Sequence, residues 1–513
     1  MNDRKQQRSL NHRGFKCKFR SVARAAIQRL RPPLRTGLKT PTPLVAADVR
    51  RLKSAGFWGP ARATVRASLR RLLLFKPALN RWLVYHALAV LLWPAGMLMS
   101  AENQVVAGAL VAEEKAAPTN WLAILKQGKL TASARYRYEI FDRDEPAYPH
   151  ASEASTLRLA LGYETPTFYG FSALAEYEGV YALGPSDYNI PNDPAQHKPG
   201  YPNILDPLGS ELNQGWVSWK WKEADYQVAL TAGRQEVMLN DGRFVSVSFW
   251  RQNHQSLDAA QLKLDLPHEF ALTYAYIGQV HRVVGGDATD GQPTMNSHLY
   301  DLRWKRNNVI NISAYGLFLD YQQPALYSNS TRTLGLRVEG PWKLAPDWAL
   351  CYTAEFAQQA DFGENPNAVN ANYWLGELGF SYKGHTLKGG VAWLGGRSLT
   401  DKLSTPLAHP FNGRTELFAA NPSVGRSHGL EADYLTATGP IGRIPGLTYN
   451  LTFYDYHSAN DRVHYGSELD GGMSWKVKPV CEKWEVGWRC SKYWADELFG
   501  DALRYALYTS FTF

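Results

Sequence analysis

Guanidinium, carboxyl and amide groups recur within one short stretch, GRQEVMLNDGRFVSVSFWRQN, at positions 233 to 253. An arginine presents a planar fork of donors that recognises carboxylates and phosphates, and a nearby carboxylate can hold that fork in place. The stretch therefore predicts a pore-constriction loop that selects anionic or hydroxyl-rich solutes. The alternative is that these residues only brace the loop against its support. The residues concerned are Arg234, Asp241, Arg243, Arg251 and Gln252.

A possible nucleophile occurs further along the chain. The run Gly425-Arg426-Ser427-His428-Gly429 matches G-x-S-x-G, the nucleophile elbow of hydrolases. The elbow requires a strand before the serine and a helix after it, whereas this run ends a loop-like stretch and leads into EADYLTATG. A polar rim at the start of a strand explains the run more simply, so an enzyme is only the second hypothesis. No HExxH, P-loop or dinucleotide fingerprint occurs, and no cofactor or metal site is predicted.

The charge of the chain is unevenly distributed. Its net charge is +9, but residues 1 to 85 contain 21 Lys and Arg against only Asp3 and Asp48. The remainder of the chain is acidic. A basic arm ahead of an acidic body could bind nucleic acid, but this arm leads into an apolar segment, which favours an export signal instead.

The apolar segment WLVYHALAVLLWPAGMLMSA, at 82–101, follows basic residues and has the order of a signal peptide. Pro94 and Gly96 interrupt it, which argues against a membrane-spanning helix. We expect cleavage after Ala101, with Ala107-Gly108-Ala109 as the alternative. Residues 1–81 are then a basic N-terminal extension, for which a start codon assigned too far upstream is one explanation. Residues 102–128 are a short periplasmic segment, too short to form a plug domain.

From residue 129 onward, apolar and polar residues alternate in segments of about ten residues, which is the pattern of membrane-spanning strands. In LRLALGYET, Leu157, Leu159 and Leu161 lie on one side and Arg158 on the other. Short connections such as Lys383-Gly384 alternate with long ones such as 182–210 and 397–426. The fold class predicted for 129–513 is all-β: a transmembrane antiparallel β-barrel of about 18 strands, with short periplasmic turns and long extracellular loops.

The end of the chain supports a position in the outer membrane of a Gram-negative bacterium. Tyr505, Leu507, Thr509, Phe511 and Phe513 alternate up to a terminal aromatic residue. Many outer-membrane proteins end in this way. We therefore expect two partners, the lipid of the outer membrane and the outer-membrane assembly machinery, which would recognise Phe513.

Three blocks carry a family resemblance: RYRYEIFDRDE (135–145), STLRLALGYETPTFYGFSALAEYEG (155–179) and GRQEVMLNDGRFVSVSFWRQNHQSLDAAQL (233–262). Through them the chain resembles the alginate-export (alginate porin-like) family of outer-membrane proteins. The resemblance implies an eighteen-stranded barrel whose charged lumen conducts an acidic polysaccharide or another polar solute.

Strand parity points both basic and acidic side chains into the predicted lumen, and a mixed lumen does not require a polyanion. The predicted function is therefore passive passage of polar or anionic solutes, with polysaccharide export or a substrate-specific uptake porin as narrower alternatives. The predicted pore-lining residues are Arg135, Arg137, Arg158, Glu176, Arg303, Lys305, Arg337, Glu339, Arg489 and Arg504.

Overall fold

The computed structural model describes residues 126–407, 412–419, 421–424, 427–477 and 483–513. The predicted extension, the export segment and residues 102–125 lie outside the described residues, so the predictions made for them stay predictions. Among the described residues, no helix is both long enough and apolar enough to cross a membrane.

In the described part of the chain, eighteen antiparallel strands form one continuous sheet. The first strand pairs with both the second and the last, so the sheet closes into a barrel and the predicted fold class is confirmed. The strands are β1 Lys129–Arg143, β2 Ser152–Glu164, β3 Phe171–Asp187, β4 Gly209–Glu223, β5 Tyr226–Gln235, β6 Ser256–Leu266, β7 Phe270–His281, β8 Thr294–Arg306, β9 Ile310–Leu319, β10 Thr331–Ala345, β11 Trp348–Asp361, β12 Asn370–Tyr382, β13 His385–Leu394, β14 Leu430–Pro440, β15 Leu447–His457, β16 His464–Lys476, β17 Trp484–Ala495 and β18 Ala502–Thr512.

The two faces of the sheet differ because side chains alternate along each strand. Leu159, Leu336 and Leu507 are 42%, 50% and 44% exposed on the outer face. Their neighbours Arg158, Arg337 and Arg504 are buried on the inner face. This arrangement keeps apolar groups against lipid and satisfies polar groups inside the barrel, as a membrane requires.

Aromatic residues ring the end of the barrel where the turns are short. Rings at this level sit at the boundary between lipid and water, where an apolar body and a polar edge are both satisfied. The exposed members include Trp221, Tyr226, Phe270, Trp342, Trp348 and Tyr382.

Turn chemistry explains the short connections. Between β12 and β13, Lys383 and Gly384 adopt positive φ angles of 48° and 83°. Two consecutive positive φ angles define the type I′ turn, whose twist matches that of a two-residue hairpin. At the opposite end, residues 188–208, 236–255 and 395–429 form long connections.

The described part of the G-x-S-x-G run does not have the elbow geometry. Ser423–Val424 and Ser427–His428 form a two-stranded hairpin, and β14 follows directly. A strand therefore stands where the elbow needs a helix. Gly425 and Arg426 lie outside the described residues.

Candidate solute pathway in the lumen

Residues 236–255, here called the inner loop, fold into the barrel. The loop leaves β5 and returns to β6, yet it contacts strands on other sides of the barrel. Nε of Arg135 in β1 donates to Oε1 of Gln252 at 2.7 Å. Nη1 of Arg337 in β10 donates to Oδ2 of Asp241 at 3.1 Å. The inner loop therefore crosses the lumen.

The connection between β13 and β14 is here called the long loop, and its described parts, at 395–407, 412–419, 421–424 and 427–429, also fold inward. It pairs with the inner loop through a parallel bridge between Val245 and Leu407. The backbone amide of Thr415 donates to Glu468 of β16 at 2.9 Å. The two loops together narrow the barrel and leave a defined space beside them.

Six charged side chains, here called the buried cluster, fix the inner loop to the wall. Nε of Arg504 donates to Oε1 of Glu139 at 2.6 Å, and Nη1 of Arg504 lies 3.0 Å from Glu416. Arg251 pairs with Glu416, and Arg137 pairs with Asp206. Three cations and three anions thus neutralise one another. The members are Arg137, Glu139, Asp206, Arg251, Glu416 and Arg504.

Arg251 is the loop's own contribution to the buried cluster, and it is 2% exposed. Burial alone would lower the pKa of its guanidinium, but Glu416, Glu139 and Asp206 hold that pKa above its ordinary value. Arg251 therefore stays charged and stays paired. Its geometry is that of a brace.

The other predicted loop residues have separate positions. Arg234 lies in β5 and pairs with Asp258 at 2.8 Å, away from the cavity. Gln252 is buried and donates to Thr156 of β2 at 3.1 Å. Asp241 holds the guanidinium of Arg337 and also accepts from the backbone amide of Arg243, at 3.1 Å.

The guanidinium of Arg243 is held by the long loop and by an aromatic ring. Its Nη1 donates to Asn412 at 3.1 Å, and the group lies 5.4 Å from the ring centre of Tyr373. The carboxylate predicted to orient Arg243, that of Asp241, accepts from Arg337 as well. Of the five predicted loop residues, only Asp241 and Arg243 line the cavity.

A cavity of about 570 Å³ lies between the two loops and the wall from β10 to β18. Its lining contains six basic and six acidic side chains, and most of them are paired. Lys388 pairs with Glu377 at 2.7 Å, and Arg337 pairs with both Asp241 and Glu339. The charged lining residues are Glu139, Asp241, Arg243, Arg337, Glu339, Glu377, Lys388, Arg414, Glu416, Asp470, Arg489 and Arg504.

Arg414 and Arg489 differ from the paired cations of this lining. Arg414 donates to neutral acceptors, Oδ1 of Asn450 at 2.6 Å and the carbonyl of Gly471 at 3.2 Å. Arg489 stacks on Trp250 of the inner loop, 3.7 Å from the ring centre. Within the described part of the chain, neither guanidinium has a carboxylate at ion-pair distance.

The side chains of Arg414 and Arg489 are neighbours on the cavity wall. A Cβ built on Gly472 would lie 3.0 Å from Nη1 of Arg414 and 3.5 Å from Cγ of Arg489. The absence of a side chain at Gly472 therefore leaves room for both arginines. They form one positive patch on the cavity wall.

The remaining predicted pore-lining residues lie on the inner wall but not on this cavity, whereas Arg337, Glu339, Arg489 and Arg504 line it. The predicted residues outside the cavity contact the inner loop or neighbouring wall residues, or lie near the end of the barrel with short turns. Arg135 and Arg137 lie beneath the inner loop, Arg158 donates to Glu178 at 2.7 Å, Glu176 accepts from Asn213 at 2.8 Å, Arg303 donates to Asp301 at 2.5 Å, and Lys305 is exposed near the end of β8.

Sequence reasoning missed Arg414, Asn412 and Glu416, which lie in the long loop. Strand parity assigns a face only to strand residues, so it gives no signal for a loop. Trp250 was also missed, although it lies within the singled-out stretch beside Arg251. The signal that could have identified Trp250 is an aromatic residue among the arginines of an otherwise polar loop.

Comparison with known families supports the assignment of the fold. The model of the family described as Alginate export matches residues 206–433, which include the inner loop. No curated protein matches the sequence.

Solved structures share the fold at low identity. OccAB4 of Acinetobacter baumannii is 15% identical with a TM-score of 0.57, and the match covers 75% of this chain and 98% of that one. OccK9 (OpdG) of Pseudomonas aeruginosa is 14% identical with a TM-score of 0.56, covering 76% and 99%. OpdK of Pseudomonas aeruginosa, solved with vanillate, is 13% identical with a TM-score of 0.55, also covering 76% and 99%.

The closed barrel, its polar lumen and these matches define an outer-membrane β-barrel channel. The protein therefore resides in the cell outer membrane. The resemblance to the alginate-export family is confirmed by the match over residues 206–433.

Proposed function

We propose that this outer-membrane channel passes small organic anions, carboxylates above all, along the patch formed by Arg414 and Arg489. One observation carries the proposal: both guanidinium groups face the cavity without a carboxylate partner among the described residues. An arginine in that state keeps its donors available for a solute carboxylate, and bidentate contact adds geometric specificity.

The charges of the other lining residues largely cancel one another, which supports the same conclusion. The guanidinium of Arg504 is neutralised by Glu139 and Glu416 within the buried cluster. Paired charges act on a passing ion mainly as dipoles, whereas an unpaired charge in a narrow, partly dehydrated passage acts at full strength. The balanced number of charges therefore conceals a local positive site.

The size of the cavity favours a small solute. At about 570 Å³, it lies within the range of roughly 300–1,000 Å³ that is typical of small-molecule sites. The related OpdK structure contains vanillate, an aromatic carboxylate. A solute of that class would place its carboxylate on the arginine patch.

Passage of an acidic polysaccharide is the second candidate, because the matching family is described as Alginate export. The two candidates differ in solute size, because a polymer would have to thread past the inner loop and the long loop. Single-channel current distinguishes them: a monomeric carboxylate should cross and carry current, and an alginate oligomer should block the channel if the small-solute proposal holds.

We propose a passive role without catalysis. The matching family and the structural neighbours are channels, and a strand follows Ser427. An esterase assay of the purified barrel beside Ser427→Ala tests the proposal. Hydrolysis that disappears in the variant would contradict it.

Reversal potentials in planar bilayers under a KCl gradient test the solute class. We expect Arg414→Gln and Arg489→Gln each to shift permeation toward cations, and the double variant to shift it furthest. Arg332→Gln is the matched control, because it removes one exposed arginine from the outer face of β10. An unchanged ion preference in the double variant would overturn the proposal.

A further inference from the structure

The outer face of the barrel carries a histidine and carboxylate cluster at its extracellular rim. Asp455 and His457 share the outward face of β15 with Leu451, because alternate residues of a strand point the same way. Across the sheet, His457 pairs in register with His464, the first residue of β16. Three polar side chains thus meet where the strands leave the membrane.

His464 lies between two carboxylates. Its Nδ1 is 2.6 Å from Oδ2 of Asp496, and its Nε2 is 2.8 Å from Oδ1 of Asp455. A neutral imidazole can donate from only one nitrogen. With Nδ1–H donated to Asp496, Nε2 presents a lone pair to a carboxylate, and two acceptors this close require a cation between them. That cation is either a second proton on the ring or a metal ion.

A second observation, on His457, favours a metal ion over a proton. It is 7% exposed, and its Nδ1 is buried without a hydrogen-bond partner. Burying an imidazole nitrogen without a partner costs free energy. A second proton on His464 would leave that cost in place, whereas coordination of His457 to a metal ion through Nδ1 would remove it. One ligand atom from each of Asp455, His457 and His464 already lies within 4.8 Å of the others.

We propose that Asp455, His457 and His464 bind one divalent transition-metal ion of the Zn²⁺ class. Two imidazoles and one carboxylate are a donor set that such ions favour over Mg²⁺ and Ca²⁺, which prefer oxygen ligands alone. Asp496 acts behind His464, where it fixes the tautomer whose Nε2 carries no proton and can coordinate a metal ion. Three protein ligands leave a fourth tetrahedral position open to water or to an anionic group.

This site is separate from the solute pathway. Thr452 and Tyr454, on the opposite face of β15, line the cavity, whereas Asp455 and His457 point away from it. The sequence predicted no metal because the loop 458–463 separates His464 from the other two ligands. Pairing of β15 with β16 brings the three ligands together. Because the site lies outside the solute pathway, a negative result for metal binding would not count against the proposed channel function.

Zinc binding to the full-length barrel, purified in detergent without a histidine tag, tests the site. Isothermal titration with ZnCl₂ should give one ion per chain for the native protein. We expect His457→Gln and Asp455→Asn to weaken Zn²⁺ binding at least tenfold. Asp496→Asn, which changes no ligand, should weaken it about 10- to 100-fold. His385→Gln is the control, because His385 lies at the opposite end of the barrel beside Tyr449.

Two outcomes would overturn the proposal. One is a native protein that binds no Zn²⁺ or binds MgCl₂ equally well. The other is unchanged Zn²⁺ affinity in His457→Gln. If burial of His457 prevents that variant from folding, Asp496→Asn decides the matter, because Asp496 is largely exposed and its loss leaves the strands intact.

Discussion

The arginines of the buried cluster and those of the cavity patch lie close together but in opposite electrostatic states. Arg137, Arg251 and Arg504 are each matched by carboxylates and excluded from water. Arg414 and Arg489 meet neutral acceptors and an indole ring instead. An arginine in a pore loop can therefore be entirely structural, and the partner of its guanidinium decides which role it has.

Reversing the charge of Arg251 should destabilise the buried cluster. In Arg251→Glu, a carboxylate would replace the cation that faces Glu139, Asp206 and Glu416. Breaking a buried ion pair costs about 3–5 kcal/mol. Urea unfolding of the barrel refolded into lipid vesicles measures the loss. Arg332→Glu, on the outer face, is the control, and equal stability of the two variants would contradict the assignment of Arg251 as a brace.

Trp250 contacts both sets of arginines, and replacing it tests how much each contact contributes to stability. Its ring centre lies 4.4 Å from Cζ of Arg137 and 3.7 Å from Cζ of Arg489. Trp250→Leu keeps an apolar group but removes the ring face. We expect a loss of about 1–2 kcal/mol from the cation–π contacts, again by urea unfolding. A loss that persists in an Arg489→Gln background assigns most of it to Arg137.

Neutralising Arg489 should change permeation while leaving stability nearly intact. A unit charge about 4 Å from a solute contributes roughly 1 kcal/mol at high dielectric, which corresponds to about a fivefold change in anion preference. Reversal potentials measure that change. A loss of stability as large as that of Arg251→Glu would show that Arg489 belongs with the structural arginines.

A smaller effect on stability is expected from Glu236, the first residue of the inner loop. Burial raises the pKa of Glu236, but the hydrogen bond and charge of His254 and the amide of Asn213 outweigh burial and lower it. A lowered pKa means that Glu236 stabilises the fold at neutral pH, and that this stabilisation is lost as the pH falls through the folded-state pKa. The native protein should therefore lose more stability than Glu236→Gln on acidification, by urea unfolding at matched pH values. Identical pH profiles would contradict this role.

The barrel was predictable from the sequence because the alternation that specifies it lies within each strand. Alternation along β2 and β18 placed Leu159 and Leu507 outward and Arg158 and Arg504 inward, and the structure has the same faces. The observed number of strands, eighteen, is also the number that the alternation predicts.

The electrostatics of the lumen were not predictable in the same way. Arg251 meets Glu416 from 165 positions away in the chain, and Arg243 meets Asn412 from 169. Neither loop has a periodicity that fixes where its side chains point. Whether a loop arginine is neutralised or available therefore depends on how two loops pack inside a closed barrel.

The buried cluster also lies on the seam where β1 meets β18. Glu139 and Arg504 are 365 positions apart, so this pair cannot form until nearly the whole chain has been delivered. Such a contact closes a very long loop, and its entropic cost is met only late in folding. Because the inner loop is anchored to the same pair through Arg251, we expect the passage to acquire its final width only after the barrel has closed. An incompletely assembled barrel would then conduct as a wider and less selective hole.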